Sequence, residues 1–365
     1  MRSILVLFML FFYFKMFGQE PTLTNSIYNK LSINPAFTSN EEGSLCISLN
    51  HKKDFFNIRG PFNYSSFSMN YGFCNNNSNH KSPNFGMGLM LNQYEQGDGY
   101  LKQNNAMLFI GGNKNLKKNW NVSIGISAGY FSQNIDWDKL IFSDQLDPIY
   151  GLKPQLSSNY NANFILNRSV KTAIGIKITN WEGNGFSSKY LWNIGASVEN
   201  LFGESRFSLQ GNSQLSKKYI VHGSWMMFNN AKTIDGSINL NGRVDYQDNF
   251  LISILNLEYF LNNKFTFGTS CRISKPNNFS NVYSFGPILG YQPREDLKFI
   301  CSSDFYFGGF NYANNIELGI IWSVNSAICS FESLKETIRD PQKAYSNNCK
   351  NFTRFKKNNV IQVIY

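Results

Sequence analysis

Long apolar runs are almost absent from this chain, and residues 4–14 come closest to one. That run is shorter than the roughly 20 apolar residues that a transmembrane helix needs. Because Arg2 gives it a charged start and Gly18 lies in a plausible cleavage region, we interpret residues 1–18 as a secretory signal peptide. An uncleaved N-terminal anchor is the alternative. The remaining chain is then either soluble outside the cytoplasm or a β-barrel in an outer membrane.

Side chains suited to metal binding or catalysis are few and scattered. The three histidines share no motif, and the six cysteines include no CxxC pair. The chain also lacks a serine nucleophile elbow, an HExxH motif and a phosphate-binding glycine loop followed by a helix. These absences argue against an enzyme, and they predict neither a cofactor nor a metal site.

Cysteine usage leaves disulfides open. An even cysteine count in an exported protein permits them. Cys271 and Cys301 fall on apolar strand faces, where cysteine acts as a small hydrophobic residue. Cys329 and Cys349, both in the tail, are the pair that could form a bridge.

Charged residues make up only 16% of the chain, with a formal net charge of +10. A basic excess can attract nucleic acid or an anionic surface. However, the Lys and Arg residues are scattered and form no basic stripe interleaved with exposed aromatics. We therefore expect no nucleic-acid partner. Anionic outer-membrane lipid or acidic periplasmic proteins suit an exported basic chain better.

Alternation of apolar and polar residues fills most of the chain. In residues 264–273, Phe265 and Phe267 fall on one side, whereas Thr266 and Ser270 fall on the other. A period of two is the pattern of a strand with two different faces. It predicts about sixteen strands, of which one or two could be loop. The candidates lie near 44–52, 63–72, 84–92, 104–112, 119–131, 159–167, 170–180, 190–199, 204–210, 216–228, 234–245, 249–260, 263–274, 281–292, 296–307 and 315–324.

The apolar strand faces could meet a protein core or a bilayer. Strands of about 9–12 residues, the signal peptide and aromatic residues at strand ends favour the bilayer. Tight links predicted at 167–169, 261–263 and 293–295 alternate with longer ones, as in transmembrane barrels. We therefore predict an all-β fold, a transmembrane antiparallel β-barrel of about 14–16 strands in the outer membrane. The aromatic residues in question are Tyr130, Tyr246, Tyr259, Tyr291, Tyr306 and Trp322.

The barrel prediction divides the chain into a signal peptide (1–18), a periplasmic N-terminal lead-in (19–43), the barrel (44–324) and a basic C-terminal tail (325–365), expected in the periplasm. Strand alternation places one set of charged residues on the inward face. Glycines spread through the strands indicate either a strongly curved wall or a crowded lumen. The predicted lumen-facing charges are Lys171, Lys177, Glu199, Arg243, Asp245, Glu258, Arg272, Asp304 and Glu317.

Acidic residues gather in the long segment 132–158. They are Asp136, Asp138, Asp144 and Asp147. Hard cations favour carboxylate oxygens, but the spacing does not match an EF-hand loop. A solvated outer loop is the preferred interpretation.

Several short motifs, taken in order, resemble the PorP/SprF family. Gln19-Glu20-Pro21 and Asn34-Pro35-Ala36-Phe37 match the start of mature family members. Further matches are the strand segment 86–89, the loop segment 142–148 and the strand end 195–201. The resemblance covers roughly residues 19–324, and only the ordered set is specific.

This resemblance implies an outer-membrane barrel of the type IX secretion system of Bacteroidota, linked to gliding and to secretion or surface attachment of adhesins. The implied partners are periplasmic ring or peptidoglycan-linked proteins, a secreted adhesin and outer-membrane lipid. Members are not enzymes. Candidate partner-binding residues are Asn34, Pro35, Phe37, Asp144, Asp147 and Pro148. A passive porin or small-solute transporter is the alternative function.

Overall fold

Fourteen antiparallel strands form one closed barrel in the computed structural model of this chain. The structure describes residues 22–39, 45–55, 60, 62–73, 84–97, 101–117, 120–135, 146–147, 149, 151–152, 167–182, 190–202, 204–206, 213–227, 236–248, 250–262, 264–275, 281–294, 296–307 and 314–324.

The barrel strands follow one another around the wall in chain order. Two short hairpins that are not part of the barrel sheet interrupt the numbering. They are formed by Leu146–Asp147 (β6) with Gly151–Leu152 (β7) and by Glu204–Arg206 (β10) with Ser213–Leu215 (β11). The barrel strands are Leu45–Asp54 (β1), Phe62–Gly72 (β2), Asn84–Gln96 (β3), Leu101–Lys117 (β4), Trp120–Ile135 (β5), Asn167–Glu182 (β8), Tyr190–Glu199 (β9), Lys218–Met227 (β12), Ile238–Gln247 (β13), Phe250–Leu261 (β14), Phe265–Lys275 (β15), Val282–Arg294 (β16), Leu297–Phe307 (β17) and Asn314–Val324 (β18).

The first and last strands close the barrel. β1 pairs with β2 on one side and with β18 on the other, where Leu45 lies opposite Val324. The tight links predicted at 261–263 and 293–295 are confirmed. Only residues 262–264 separate β14 from β15, and only residues 295–296 separate β16 from β17. Closure leaves no unpaired strand edge within the wall.

The two faces of the wall differ in polarity. On β4 and β5, the outward side chains of Leu108, Ile110, Ile124 and Ile126 are each at least half exposed, whereas the inward Ser123 is fully buried. An apolar outer surface around a polar interior is the arrangement of a barrel surrounded by lipid. The predicted fold class, a transmembrane antiparallel β-barrel, is therefore confirmed.

One strand and one tight link predicted from the sequence need correction. The candidate near 204–210 contains the short strand β10, which pairs with β11 in a separate two-stranded sheet and not with a barrel strand. The tight link predicted at 167–169 is wrong, because these residues begin β8 and pair with residues 131–133 of β5. Asn and Ser favour turns locally, but cross-strand pairing extends the strand here. Most of the candidate near 159–167 lies outside the described residues.

The aromatic residues predicted at the membrane interface point outward, with one exception. The Tyr306 side chain is only partly exposed, and its hydroxyl accepts a hydrogen bond from Asn315 Nδ2 at 3.2 Å. Its ring also stacks on Phe55. Tyr306 shares its strand face with the inward Asp304, so the alternation itself turns it toward the lumen. The exposed members of the set are Tyr130, Tyr246, Tyr259, Tyr291 and Trp322.

The barrel has two distinguishable ends. At the terminus end, β1 begins with Leu45 and β18 stops beside it; at the loop end, β1 stops at Asp54. The two longest connections between barrel strands, residues 136–166 and 200–217, both join strands at the loop end. Outer-membrane barrels place short turns in the periplasm and longer loops outside. The two longest connections of this barrel likewise share one end.

Candidate functional site

A segment of the chain itself fills the lumen. This segment, Thr22–Ser39, is called the plug below, and it contains three short 3-10 helices, at Ser26–Tyr28, Lys30–Ser32 and Pro35–Ser39. Most of its residues are buried. The space that an open channel would leave to water is thus occupied by protein. In the described part of the chain, no helix is long and apolar enough to cross a bilayer.

The plug corrects one expectation from the sequence. Residues 19–43 are predicted above to be a periplasmic lead-in, but residues 22–39 lie inside the barrel. The Thr22 carbonyl contacts Lys52 near the loop end, and the Ser39 carbonyl contacts Asn113 near the terminus end. The plug therefore runs lengthwise through the lumen. Its polar side chains match the polar inner wall, a complementarity that no local periodicity reveals.

Local hydrogen bonds shape the plug into tight turns. Backbone bonds of 2.9 to 3.0 Å close the first two helices, as between Asn29 N and the Ser26 carbonyl. Asn34 Oδ1 accepts from Ala36 N at 2.8 Å, and Thr38 Oγ1 donates to the Pro35 carbonyl at 2.6 Å. Short polar side chains that bond to nearby backbone favour turns over longer helices.

Two buried carboxylates hold the start of the plug. Glu317 accepts hydrogen bonds from the backbone amides of Thr24 and Asn25, at 2.8 and 3.1 Å. Asp304 accepts from the Thr24 hydroxyl at 2.5 Å. Bonds to a charged acceptor are about twice as strong as neutral ones. The carboxylates therefore act as fixed acceptors for this part of the plug.

Two buried cations complete the same anchor. Arg272 Nη2 donates to the Thr22 carbonyl at 3.2 Å and to Thr24 Oγ1 at 3.1 Å. Lys52 Nζ donates to the Thr22 carbonyl at 3.0 Å and lies 3.0 Å from Asp54 Oδ1. The plug is thus bonded to both signs of charge, and breaking it away would leave ions uncompensated in the lumen.

Tyr28 fastens the middle of the plug to β14 and β17. Its hydroxyl donates to Glu258 Oε2 at 3.1 Å and accepts from Lys298 Nζ at 3.2 Å. The same ammonium lies 4.8 Å from the centre of the Tyr28 ring. The Tyr28 hydroxyl thus connects a carboxylate on β14 with an ammonium group on β17.

Asn34 joins the plug to three strands. Its Nδ2 donates to the carbonyls of Ile176 and Ala196 at 3.0 and 3.2 Å and lies 3.0 Å from His222 Nε2. An amide nitrogen carries only two hydrogens, so the two carbonyls and the ring nitrogen share them. The Phe37 ring lies 5.1 Å from the His222 ring. Asn34 and Phe37, proposed from the sequence as partner-binding residues, bind the barrel wall here.

Inward glycines make room for the plug. A Cβ at Gly175 would collide with the Asn34 side chain, one at Gly125 with the Pro35 backbone, and one at Gly86 with the Thr38 carbonyl. Close approach of another group is one reason for glycine in a strand interior. The sequence leaves wall curvature and a crowded lumen as alternatives; at these positions the crowded lumen is the cause.

A second ionic cluster lies toward the loop end. Arg243 pairs with Asp245 at 2.6 Å, and Lys218 lies 3.5 Å from the same carboxylate. Glu199 lies 3.7 Å from Lys218 and 3.9 Å from Lys171. Charges buried in this way persist when they are paired and hydrogen-bonded. The cluster ties β8, β9, β12 and β13 together across the inner wall.

The site residues that were predicted from the sequence lie in the lumen, in β6 or outside the described residues. The predicted lumen-facing charges line the lumen. Asp144 and Pro148 lie outside the described residues, as do Asp136 and Asp138. Asp147 lies in the short strand β6 and pairs with Gly151 in a two-stranded sheet that is separate from the barrel sheet. In the described part of the chain, no group of His, Cys, Asp or Glu could hold a metal ion. The buried or partly buried charges are Lys171, Lys177, Glu199, Arg243, Asp245, Glu258, Arg272, Asp304 and Glu317.

Sequence reasoning missed several residues that hold the plug. Lys52 and Lys298 occupy inward strand positions and could have been found from the alternation that identified the other charges. Thr24 and Tyr28 carry no such signal, because they lie in a segment without strand periodicity.

The cysteines also differ from expectation. Cys46 is disulfide-bonded, which the sequence did not indicate. Cys271 and Cys301 are free. Cys329 and Cys349 lie outside the described residues, so a bridge between them stays a prediction.

Replacement of Asn34 by alanine should loosen the plug without unfolding the wall. The change removes an acceptor for the Ala36 amide and donors to two strand carbonyls, at an expected cost of about 1–3 kcal/mol. Hydrogen exchange at the Ala36 amide should become faster. Asn281→Ala is the control, since its amide bonds to Tyr283 Oη at an exposed site. Equal rates of hydrogen exchange at the Ala36 amide in Asn34→Ala and Asn281→Ala would contradict a role for Asn34 as a plug anchor.

The fold and its filled interior define this chain as an outer-membrane β-barrel plugged by its own N-terminal segment. The sequence model of the family described as type IX secretion system membrane protein PorP/SprF matches residues 15–318. The chain belongs to this family, which confirms the resemblance drawn from the short motifs and makes the protein a membrane component of that secretion system. It has no significant sequence match among curated proteins.

Several solved outer-membrane proteins are similar in structure at low sequence identity. A CymD monoaromatic hydrocarbon channel matches with a TM-score of 0.46 and 12% identity, covering 81% of this chain and 91% of that chain. A TodX monoaromatic hydrocarbon channel mutant matches with a TM-score of 0.45 and 11% identity, covering 80% and 92%. The toluene transporter TbuX of Ralstonia pickettii matches with a TM-score of 0.42 and 9% identity, covering 82% and 92%.

Proposed function

We propose that this protein is a non-enzymatic barrel that binds partner proteins rather than passing solutes. It would support the secretion or surface anchoring of adhesins, and thereby gliding motility, by contacting secreted and periplasmic components of the type IX system. Family membership supports the system. The plug supports the choice between binding and transport, because it fills the lumen from the loop end toward the terminus end.

A passive porin, the alternative, requires an open and water-filled lumen. Here the plug bonds to Glu317, Asp304 and Arg272 at one level and to Glu258 at another. Each of these contacts is buried. The described lumen therefore favours a closed barrel over a constitutive pore.

The two ends of the barrel suit two kinds of partner. Residues 136–166, which include Asp144, Asp147 and Pro148, connect strands at the loop end and are proposed to contact the secreted adhesin. The basic tail, residues 325–365, follows β18 at the terminus end and is proposed to contact periplasmic ring or peptidoglycan-linked proteins. The signal peptide, residues 1–18, would be removed on the way to the outer membrane. Asn34, Pro35 and Phe37 would serve these partners indirectly, by holding the plug.

Affinity capture from crosslinked cells tests this function. The full chain should recover secretion-system proteins or a large adhesin. A variant without residues 325–365 should lose the periplasmic partners and keep the adhesin, whereas Asp144→Asn with Asp147→Asn should show the opposite loss. Recovery of neither partner class by the full chain would overturn the proposal.

A further inference from the structure

A groove lies on the outer surface of the barrel, where the wall faces the bilayer. Its volume is about 670 Å³, within the range of about 300–1,000 Å³ that small-molecule sites occupy. It crosses the seam at which the barrel closes, because Leu318 and Ile320 of β18 line it together with Leu49 of β1. Any occupant would therefore contact both the first and the last strand.

The floor of the groove is a row of side chains on neighbouring strands, called the apolar row below. Cross-strand pairing places Leu49 beside Phe67 and Phe67 beside Leu91. The row continues through Ala106 to Tyr130. All five residues line the groove, and Ala106 has the smallest side chain, so the floor is lowest there. The apolar row continues the lipid-facing surface of the wall, and an acyl chain would cover it.

The next row toward the loop end is polar, and it is called the polar row below. In it His51 pairs with Ser65, and Gln93 pairs with both Ser65 and Asn104. His51 Nδ1 lies 3.0 Å from Ser65 Oγ. All four side chains are exposed on the outer face and line the same groove. The groove is therefore amphipathic, with an apolar floor and a polar end.

The apolar surface of the wall continues past the polar row on the neighbouring strand. His51 lies opposite Leu318 of β18, and the next pair toward the loop end on this face is Lys53 with Ile316. Leu318 is 50% exposed and Ile316 is 40% exposed. Polar side chains in apolar surroundings are costly unless they are hydrogen-bonded. The polar row is thus best satisfied by the polar part of a membrane lipid.

The chemistry of the lining favours a sugar headgroup over a phosphate. Among the described residues, no Lys, Arg, Asp or Glu lines the groove. Lipid phosphates are recognised chiefly by Arg and Lys. The amides of Gln93 and Asn104 and the hydroxyl of Ser65 both donate and accept hydrogen bonds, as sugar hydroxyls do. These side chains can therefore pair with a neutral, hydroxyl-rich headgroup.

We propose that the groove binds one molecule of a glycolipid, with an acyl chain on the apolar row and the sugar bonded to the polar row. This site goes beyond the proposed function, which concerns protein partners. Because the lipid would contact β1 and β18 together, it would stabilise the seam at which the barrel closes. The stability of the barrel would then depend on the lipid around it.

Native mass spectrometry of the full chain, purified in a polyoxyethylene detergent, tests this site. Glucosyl dioleoylglycerol is the probe, and dioleoyl phosphatidylglycerol, which has the same acyl chains, is the comparison. The protein should retain one glucosyl lipid and bind the phospholipid about tenfold more weakly, as expected when one or two hydrogen bonds are lost. The glucosyl lipid should also raise the thermal midpoint, since a ligand that binds only the folded state stabilises it. Equal binding of the two lipids, or binding of neither, would overturn the proposal.

Substitutions in the two rows make the test specific. Ala106→Trp should fill the floor and weaken binding of the glucosyl lipid by about tenfold or more. Ala196→Trp is the matched control, since Ala196 is exposed on β9 and does not line the groove. Asn104→Leu should reduce the preference for the glucosyl lipid over the phospholipid. Binding that is unchanged in both groove variants would contradict the site. If a variant fails to fold, the comparison of the two lipids on the wild-type barrel still decides.

Discussion

Substitution of Gly125 by valine is expected to expel the plug and open a steady ion-conducting path. A Cβ at position 125 would lie 2.6 Å from Ala36 N and closer still to the Pro35 carbonyl. These are backbone atoms of the plug, so the clash cannot be relieved by a side-chain rotation. Overpacking costs about 1–3 kcal/mol and occasionally more. The wall should persist, because β5 keeps its backbone pairing with β4 and β8.

Planar bilayers give the measurement. Wild-type protein should show no steady conductance, whereas Gly125→Val should show a stable open level. Gly242→Val is the matched control, since the nearest atom to an added Cβ there is Leu255 Cδ1 at 3.9 Å. If Gly125→Val shows no steady conductance, or if Gly125→Val and Gly242→Val conduct equally, the plug is not the element that closes the barrel.

Loss of Arg272 should destabilise the barrel by about 3–5 kcal/mol, which is the range for removing one partner of a buried ionic group. Arg272 is buried, donates to Thr22 and Thr24, and interacts electrostatically with Asp304 and Glu317. Arg272→Met would keep much of the side-chain volume but leave both carboxylates undercompensated. The midpoint of heat-modified gel migration should therefore fall well below the wild-type value.

Arg294→Met is the control for this prediction. Its side chain is 69% exposed and lies 3.7 Å from Asp296, and exposed pairs contribute about 1 kcal/mol or less. Adding Asp304→Asn to Arg272→Met should recover part of the loss, because it removes one of the uncompensated charges. Equal midpoints for the two arginine variants would show that the buried network does not hold the barrel together.

The wall of the barrel was predictable because its signals are local. The alternation around Phe265 and Thr266 lies within a few residues, so it can be read without a partner strand. The link at 167–169 failed for the opposite reason: Asn and Ser suit a turn, and only the pairing of β8 with β5 shows a strand.

The site was less predictable than the wall. Arg272, Asp304 and Glu317 were placed inward by alternation alone, but their common role was not. They meet at Thr24, which lies in a segment with no period of its own. The charge of a side chain and the face on which it lies can be inferred from the sequence of a strand. The group that pairs with that charge cannot.

By itself, the sequence determined an all-β barrel with two-faced strands and membership of the PorP/SprF family, because alternation and short motifs are properties of neighbouring residues. The tertiary structure alone decided what fills the lumen. The contact between Thr24 and Glu317 joins residues 293 positions apart. The need for glycine at positions 125 and 175 is explained only by the plug, which lies against both. Such contacts depend on which surfaces meet after the barrel closes, and no local pattern encodes that meeting.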